Sequence, residues 1–202
     1  MYRPVARQVC IVRIVVGTRD ARERVLRSAA ALFYEHGIGA TGVDVISEHA
    51  SVGKMSLYRH FPSKDDLVVA VLRFRDQTHL DWLLPQSDLD PRRQVAGMFD
   101  RIGRAATRPG FHGCPFVRAG LELPVGHPGR QVVRDHKARL RARLRTLAQA
   151  LHAADPVALA WQVVTLADGA AAECVLQGSG TPARAARAVA MLALDAAAQD
   201  NP

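Results

Sequence analysis

The chain has 202 residues, 49% of them hydrophobic and only 5% aromatic, with a formal net charge of +8 and a pI near 10.2. That hydrophobic content excludes wholesale disorder, and the scarcity of aromatics beside abundant alanine disfavours a β-sandwich. The charge puts polyanions first among partners, nucleic acid ahead of an anionic membrane surface; an Arg-rich proteome gives the same bias with no partner at all.

Three cysteines, Cys10, Cys114 and Cys174, lie far apart with no metal-ligand spacing. They predict reduced thiols, no metal site and no cofactor. No apolar run reaches the ~18 residues that suggest a membrane span. The short run from Val9 to Val16 is broken by Arg13 and has no small-residue cleavage site after it. The expectation is a cytoplasmic protein with no membrane contact, preceded by a disordered basic arm over 1–17 or by an extension from an upstream start.

Taken in order, Thr18 is placed to cap a first helix whose apolar face is Val25, Leu26, Ala29, Leu32 and Phe33, closed by His36 and Gly37. Thr41 is placed to cap a second, with Asp44 answering in a shortened capping box and Val43, Ile46 and Ala50 inward. Ser51-Val52-Gly53 turns the chain, with Val52 plugging the angle between helices. A short helix from Lys54 to His60 follows, with Leu57 and Phe61 inward and Lys54, Met55, Ser56, Tyr58, Arg59 and His60 outward. Pro62 stops it. Ser63 then caps a connecting helix over about 63–82, with Asp65 and Asp66 in its first turn and Leu67, Val68, Val71, Leu72 and Phe74 leading to Trp82.

Past a polar break from Pro85 to Pro91, helices are expected over about 92–108, 116–123, 129–153 and 156–176. A last helix is capped by Thr181 with Pro182 at its first position, and frays after Gln199. The chain therefore reads as all-α, about nine helices: a helix-turn-helix domain over 18–64 and a larger helical body over 65–202.

The stretch from Thr41 to Lys64 carries the chemistry. A helix of that width fits the DNA major groove, and its outer face offers the cations, hydroxyls and phenol that phosphates and base edges accept. A helical hairpin with a solvated face gives the same pattern. At Leu57-Tyr58-Arg59-His60-Phe61-Pro62-Ser63-Lys64 the sequence resembles the DNA-binding domain of the TetR family of bacterial transcriptional regulators. Thr41, Ile46, Ala50, Val52, Leu57, Tyr58, His60, Phe61, Lys64 and Leu67 match the family's pattern, and Phe33-Tyr34-Glu35-His36-Gly37 resembles the end of its first helix.

The resemblance implies an all-α homodimer that binds a double-stranded DNA operator and is released by a small-molecule effector held in the body. It places Thr41, Tyr58, His60 and Lys64 on DNA backbone contacts, and Lys54 and Met55 at base edges; Gly53, Ser56 and Arg59 complete the DNA-facing set. Three positions depart from the family pattern: Ser51 where glycine is usual, Gly53 where serine is usual, and Met55 where a small residue is usual. They bear on operator choice more than on DNA binding.

In the body, His112 and Cys114 have no third ligand at metal spacing, so this segment reads first as a loop entering a core helix; a thiol-responsive regulator built on Cys114 is the alternative. Arg130, Arg134, Lys137, Arg141 and Arg145 fall on one helical face and read as solvated. Trp161, Val164, Ala167, Asp168 and Ala171, beside the alanine-rich last helix, are expected at a homodimer interface of the last two helices. Apolar character and location give effector-pocket candidates Trp82, Met98, Phe99, Phe111, Cys114, Phe116, Trp161 and Asp168. With no nucleophile–base pair or metal set, an enzyme is not expected. The rival to a ligand-responsive repressor is a helical oligomeric protein that has lost DNA binding.

Overall fold

In a computed structural model of the chain, residues 20–199 are described and form nine α-helices with no strand among them. They are α1 (Ala21–His36), α2 (Val43–Ala50), α3 (Lys54–His60), α4 (Lys64–Leu83), α5 (Pro91–Ala106), α6 (Pro115–Glu122), α7 (Gly129–Ala150), α8 (Pro156–Gln177) and α9 (Thr181–Gln199). The expected arm over 1–17, the Thr18 cap and Cys10 lie outside the described residues.

Several helix starts follow from local chemistry. Ser63 Oγ accepts the backbone N–H of Asp66 at 3.0 Å and caps α4. Asp90 and Asp155 cap α5 and α8, each followed by a proline whose missing N–H costs nothing at that position. Three capping expectations are corrected. Thr41 is only 2% exposed; its hydroxyl donates back to Gly37 O at 2.7 Å, and Gly42 is the residue at the N-cap of α2. Asp44 does not close a capping box but pairs with Lys54 at 2.7 Å. Thr181 is the first residue of α9 rather than its cap.

Two apolar clusters organise the packing. One joins α1, α2, α3 and the first half of α4, and draws in Phe116, Ala119, Leu123 and Val132 from α6 and α7 and the turn between them. The other is built from α5, α7, α8 and α9 with Leu80, Leu83 and Leu84 from the end of α4. α4 thus contributes Leu67, Val68, Val71 and Leu72 to one cluster and its last turn to the other. This single helix therefore packs in both. Phe74, expected in the apolar series, is instead exposed beneath Arg27, whose guanidinium carbon is 5.5 Å from the ring centre.

α8 is long and apolar enough by length and composition to cross a membrane, which the sequence reading overlooked. In the fold it is a core helix, burying Leu159, Ala160, Val163, Val164, Ala167, Ala170, Ala171 and Cys174. Val164, Ala167 and Ala171, expected at a dimer interface, therefore pack inside the protomer. α5 meets the start of α9 so closely that a Cβ on Gly180 would lie 2.7 Å from Gly103 O, a distance only glycine allows.

Candidate nucleic-acid interface and effector cavity

α3 is held by the inward Leu57 and by Phe61, which follows it, both nearly fully buried, with Val52 filling the turn. The turn works because Ser51 adopts the left-handed conformation, φ 50° and ψ 47°, at the end of α2. Its N–H then reaches Glu48 O, and Val52 N–H reaches Ser47 O, both at 3.0 Å. Ser47 Oγ donates to Val52 O at 2.5 Å and tightens the same bend.

With that frame fixed, the outer face of α3 presents Lys54, Met55, Tyr58 and Arg59, Met55 being 84% exposed. Ser56 is half-buried and accepts a hydrogen bond from Arg59 at 3.1 Å; His60 is half-buried beside Phe61. Gly53 is exposed and extended at the start of the helix, and Lys64 is half-buried at the start of α4. Thr41 stands apart from this set, since its hydroxyl is spent inside the fold. The ammonium of Lys54 is held by Asp44; that hydrogen bond, then the charge itself, raises its pKa.

α1 is fastened to the body by α6. Glu122 accepts the backbone N–H of Ile38 at 2.6 Å, and Arg118 donates to Tyr34 O at 2.7 Å. The Tyr34 hydroxyl donates to Gly113 O and accepts from His112 N–H, each at 3.0 Å. From α4, Arg75 donates to Ala30 O at 2.6 Å.

Behind these contacts lies a cavity of about 220 Å³. Arg75, His79, Trp82 and Leu83 form one stripe of α4 along it; Ile102 and Ala105 of α5 and Ala167, Asp168 and Ala171 of α8 supply further wall. Phe111, Gly113, Cys114 and Pro115 come from the α5–α6 loop and the start of α6, and Tyr34 from α1. Asp168 is paired with Lys137 at 2.5 Å, and that ammonium also lies 3.7 Å from Cys114 Sγ. Burial pushes the Cys114 thiol up, with Lys137 opposing, which keeps it a poor nucleophile.

Burial drives His79 down to about 3, reinforced by His136, Lys137 and Arg75, so its ring is neutral. His136 falls to about 4 because burial outweighs its hydrogen bond to Asp76 at 2.7 Å; its ring stacks on Phe116 with centroids 3.5 Å apart.

Of the expected pocket residues, Trp82, Phe111, Cys114 and Asp168 line this cavity. Met98, Phe99 and Phe116 are instead in the packed core, and Trp161 lies on the surface, half exposed, with the Arg141 guanidinium 4.0 Å from its ring centre. Tyr34, Arg75 and His79 were missed; α4 periodicity could have found the last two, four residues apart on one face with Trp82. The basic stripe of α7 is corrected in part: Arg134 and Arg145 are exposed as expected, but the other three are engaged by the fold. Lys137 is buried on Asp168, Arg130 donates to Leu123 O, and Arg141 covers Trp161.

The sequence pattern of the family described as "Bacterial regulatory proteins, tetR family" matches residues 25–71. The repressor KstR2 of Mycobacterium tuberculosis is 34% identical over 93 residues, 43% of this chain and 44% of KstR2. The activator FasR of Mycolicibacterium smegmatis is 40% identical over 65 residues, 32% of this chain and 28% of FasR. The match thus spans less than half the length of these curated relatives. A crystal structure of a tetR-type transcriptional regulator from Streptomyces avermitilis superposes with a TM-score of 0.81 at 34% identity, over 89% of this chain and 98% of that one. SCO4454 of Streptomyces coelicolor, a TetR-family transcriptional regulator, gives 0.73 at 29% identity over 89% and 95%.

Proposed function

We propose, for a chain that belongs to the TetR family of bacterial regulatory proteins, that it represses transcription by binding an operator as a homodimer and releases it when a small molecule fills the body cavity. The observation that carries this reading is the outer face of α3. Its exposed cation, thioether, phenol and guanidinium are held in place by Leu57 and Phe61 on the buried side. Tyr58, His60 and Lys64 act on phosphates, Lys54 and Met55 on base edges.

The dimer forms through the outer faces of α8 and α9. Leu176 is 75% exposed and Leu192 is 68% exposed, with Val157 and Val189 half exposed on the same two helices. Small exposed residues between them, Gly169 and Ala172 on α8 and Ala185 and Ala196 on α9, allow close helix approach. A two-fold assembly on that face sets the two α3 helices for half-sites roughly 34 to 36 Å apart, or a multiple of it. Release works through α4, which carries one wall of the cavity and also packs under α1, provided the effector prefers the non-binding state.

Selection of random duplexes by the full chain tests the base-reading assignment. Met55→Ala is expected to change the preferred operator, because Met55 stands 84% exposed on the outer face of α3. A uniform loss across sequences would show that Met55 reads no base. Sedimentation of Leu192→Glu and Leu176→Glu tests the interface: both are expected to yield monomers, and intact dimers would place it elsewhere.

A further inference from the structure

We propose that the effector is a compact organic carboxylate, and that its carboxylate takes the Arg75 guanidinium away from α1; this rests on the regulatory reading above. Arg75 is a largely buried cation on the cavity wall. No carboxylate lies against it among the described residues: its recorded partners are Ala30 O at 2.6 Å and the Tyr34 ring, whose centre is 5.1 Å from the guanidinium carbon. A buried charge held only by a carbonyl and a ring face is undercompensated, and a carboxylate is its best complement.

The other charges near the cavity are satisfied. Asp168 is matched by Lys137 at 2.5 Å. Asp76, next to Arg75 on α4, is held by His136 and Arg139, and Glu122 by Arg118. Arg75 is left as the one unmatched ion among these. Four residues along the same helix, His79 Nδ1 is buried with no hydrogen-bond partner among the described residues. It supplies a second polar point for an oxygen of the same ligand, with its proton on that nitrogen.

The rest of the lining is apolar and aromatic, including Trp82, Leu83, Ile102 and Phe111. At about 220 Å³ the cavity falls below the roughly 300 Å³ at which pockets for drug-sized ligands begin. The occupant is therefore a small acid with an aromatic or branched aliphatic body.

The consequence for regulation is local. Arg75 is the donor by which α4 holds the α1 backbone at Ala30. A carboxylate that recruits the guanidinium competes with that bond and with the stack on Tyr34. α1, which braces α2 and α3, is then freed from the connecting helix. The differential affinity that release requires thus arises at one side chain.

Calorimetric titration of the full-length protein at neutral pH with matched acid and amide pairs tests this. The probes are benzoate and benzamide, phenylacetate and phenylacetamide, and 4-methylpentanoate and its amide. At least one acid is expected to bind about tenfold to a hundredfold tighter than its amide. Arg75→Gln is expected to remove that preference, and Arg75→Lys to restore part of it. The wild-type comparison of acid with amide stands even if a variant fails to fold. Amides that bind as tightly as acids, no binding by any acid, or an acid indifferent to Arg75→Gln would each overturn the proposal. DNA binding by the ligand-free protein is read separately: a chain that takes the acid at Arg75 but binds no DNA keeps this inference and loses the regulatory reading.

Discussion

The Glu122 carboxylate of α6 accepts the backbone N–H of Ile38 at 2.6 Å and that of Gly39 at 3.3 Å, in the turn that follows α1. Arg118 orients it from one helical turn away at 3.2 Å and also reaches Tyr34 O. Two backbone donors between α1 and α2 are thus satisfied by a side chain from the body. Glu122→Ala is expected to destabilise the protein by about 1 to 2 kcal/mol and to accelerate hydrogen exchange at the Ile38 and Gly39 amides. Unchanged exchange at both would mean that the strap is not formed in solution.

Asp44 and Lys54 form an exposed pair worth little to stability. Its effect falls on binding, because Asp44 sets a negative charge beside the DNA-facing cation. Asp44→Asn is expected to tighten binding to every duplex several-fold at low salt, and to change stability by less than about 0.5 kcal/mol. Titration of specific and scrambled duplexes decides it, and weaker binding would place Asp44 in a positioning role instead.

Much of the frame was legible in the sequence because its signals are local. Ser63 and Asp155 mark helix starts by short-range hydrogen bonds, and Leu57 with Phe61 declares the buried side of α3 by spacing alone, whereas Asp90, which caps α5 in the same way, lies inside the expected polar break. Thr41 misled because a residue suited to capping the next helix was used to satisfy the end of the previous one. Lys137 misled because its partner, Asp168, lies 31 residues away, and helical periodicity counts such a residue as solvated. The cavity was half legible for a similar reason. Apolar character marks core and wall alike, so Met98, Phe99 and Phe116 were chosen beside Trp82 and Phe111, while the polar wall residues Tyr34, Arg75 and His79 were passed over.

Ser51 holds φ 50° without being glycine. Its side chain is exposed and no hydrogen bond of its hydroxyl compensates the strain among those recorded. Ser51→Gly is expected to stabilise the protein by about 0.5 to 1 kcal/mol, measured by urea denaturation. A loss of stability would show that the flexibility gained by the unfolded chain outweighs the relief of strain.

His79 and His136 are neutral in the fold with pKa values near 3 and 4, below the ordinary 6.5. The unfolded chain binds their protons first, so their contribution is fully present above about pH 6.5 and is lost as pH falls toward those values. Each ring is expected to cost up to about 1.4 kcal/mol per pH unit in that window. Denaturation at pH 7, 6 and 5 should show a steeper fall for the wild type than for His136→Gln. Equal slopes would mean that His136 is not buried neutral.

The account stands most directly on one titration: the full-length protein, without effector, against duplex DNA from upstream of its own coding sequence, over a series of salt concentrations. The wild type is expected to bind as a dimer with an affinity that falls steeply with salt, while Tyr58→Phe and Lys64→Ala weaken binding to operator and scrambled duplex alike. Lys64→Ala is further expected to reduce the salt slope by about one per half-site. Wild-type affinity in both variants, or no salt-dependent binding by the wild type to any duplex, would contradict the assignment of α3 and the start of α4 as the DNA-binding face.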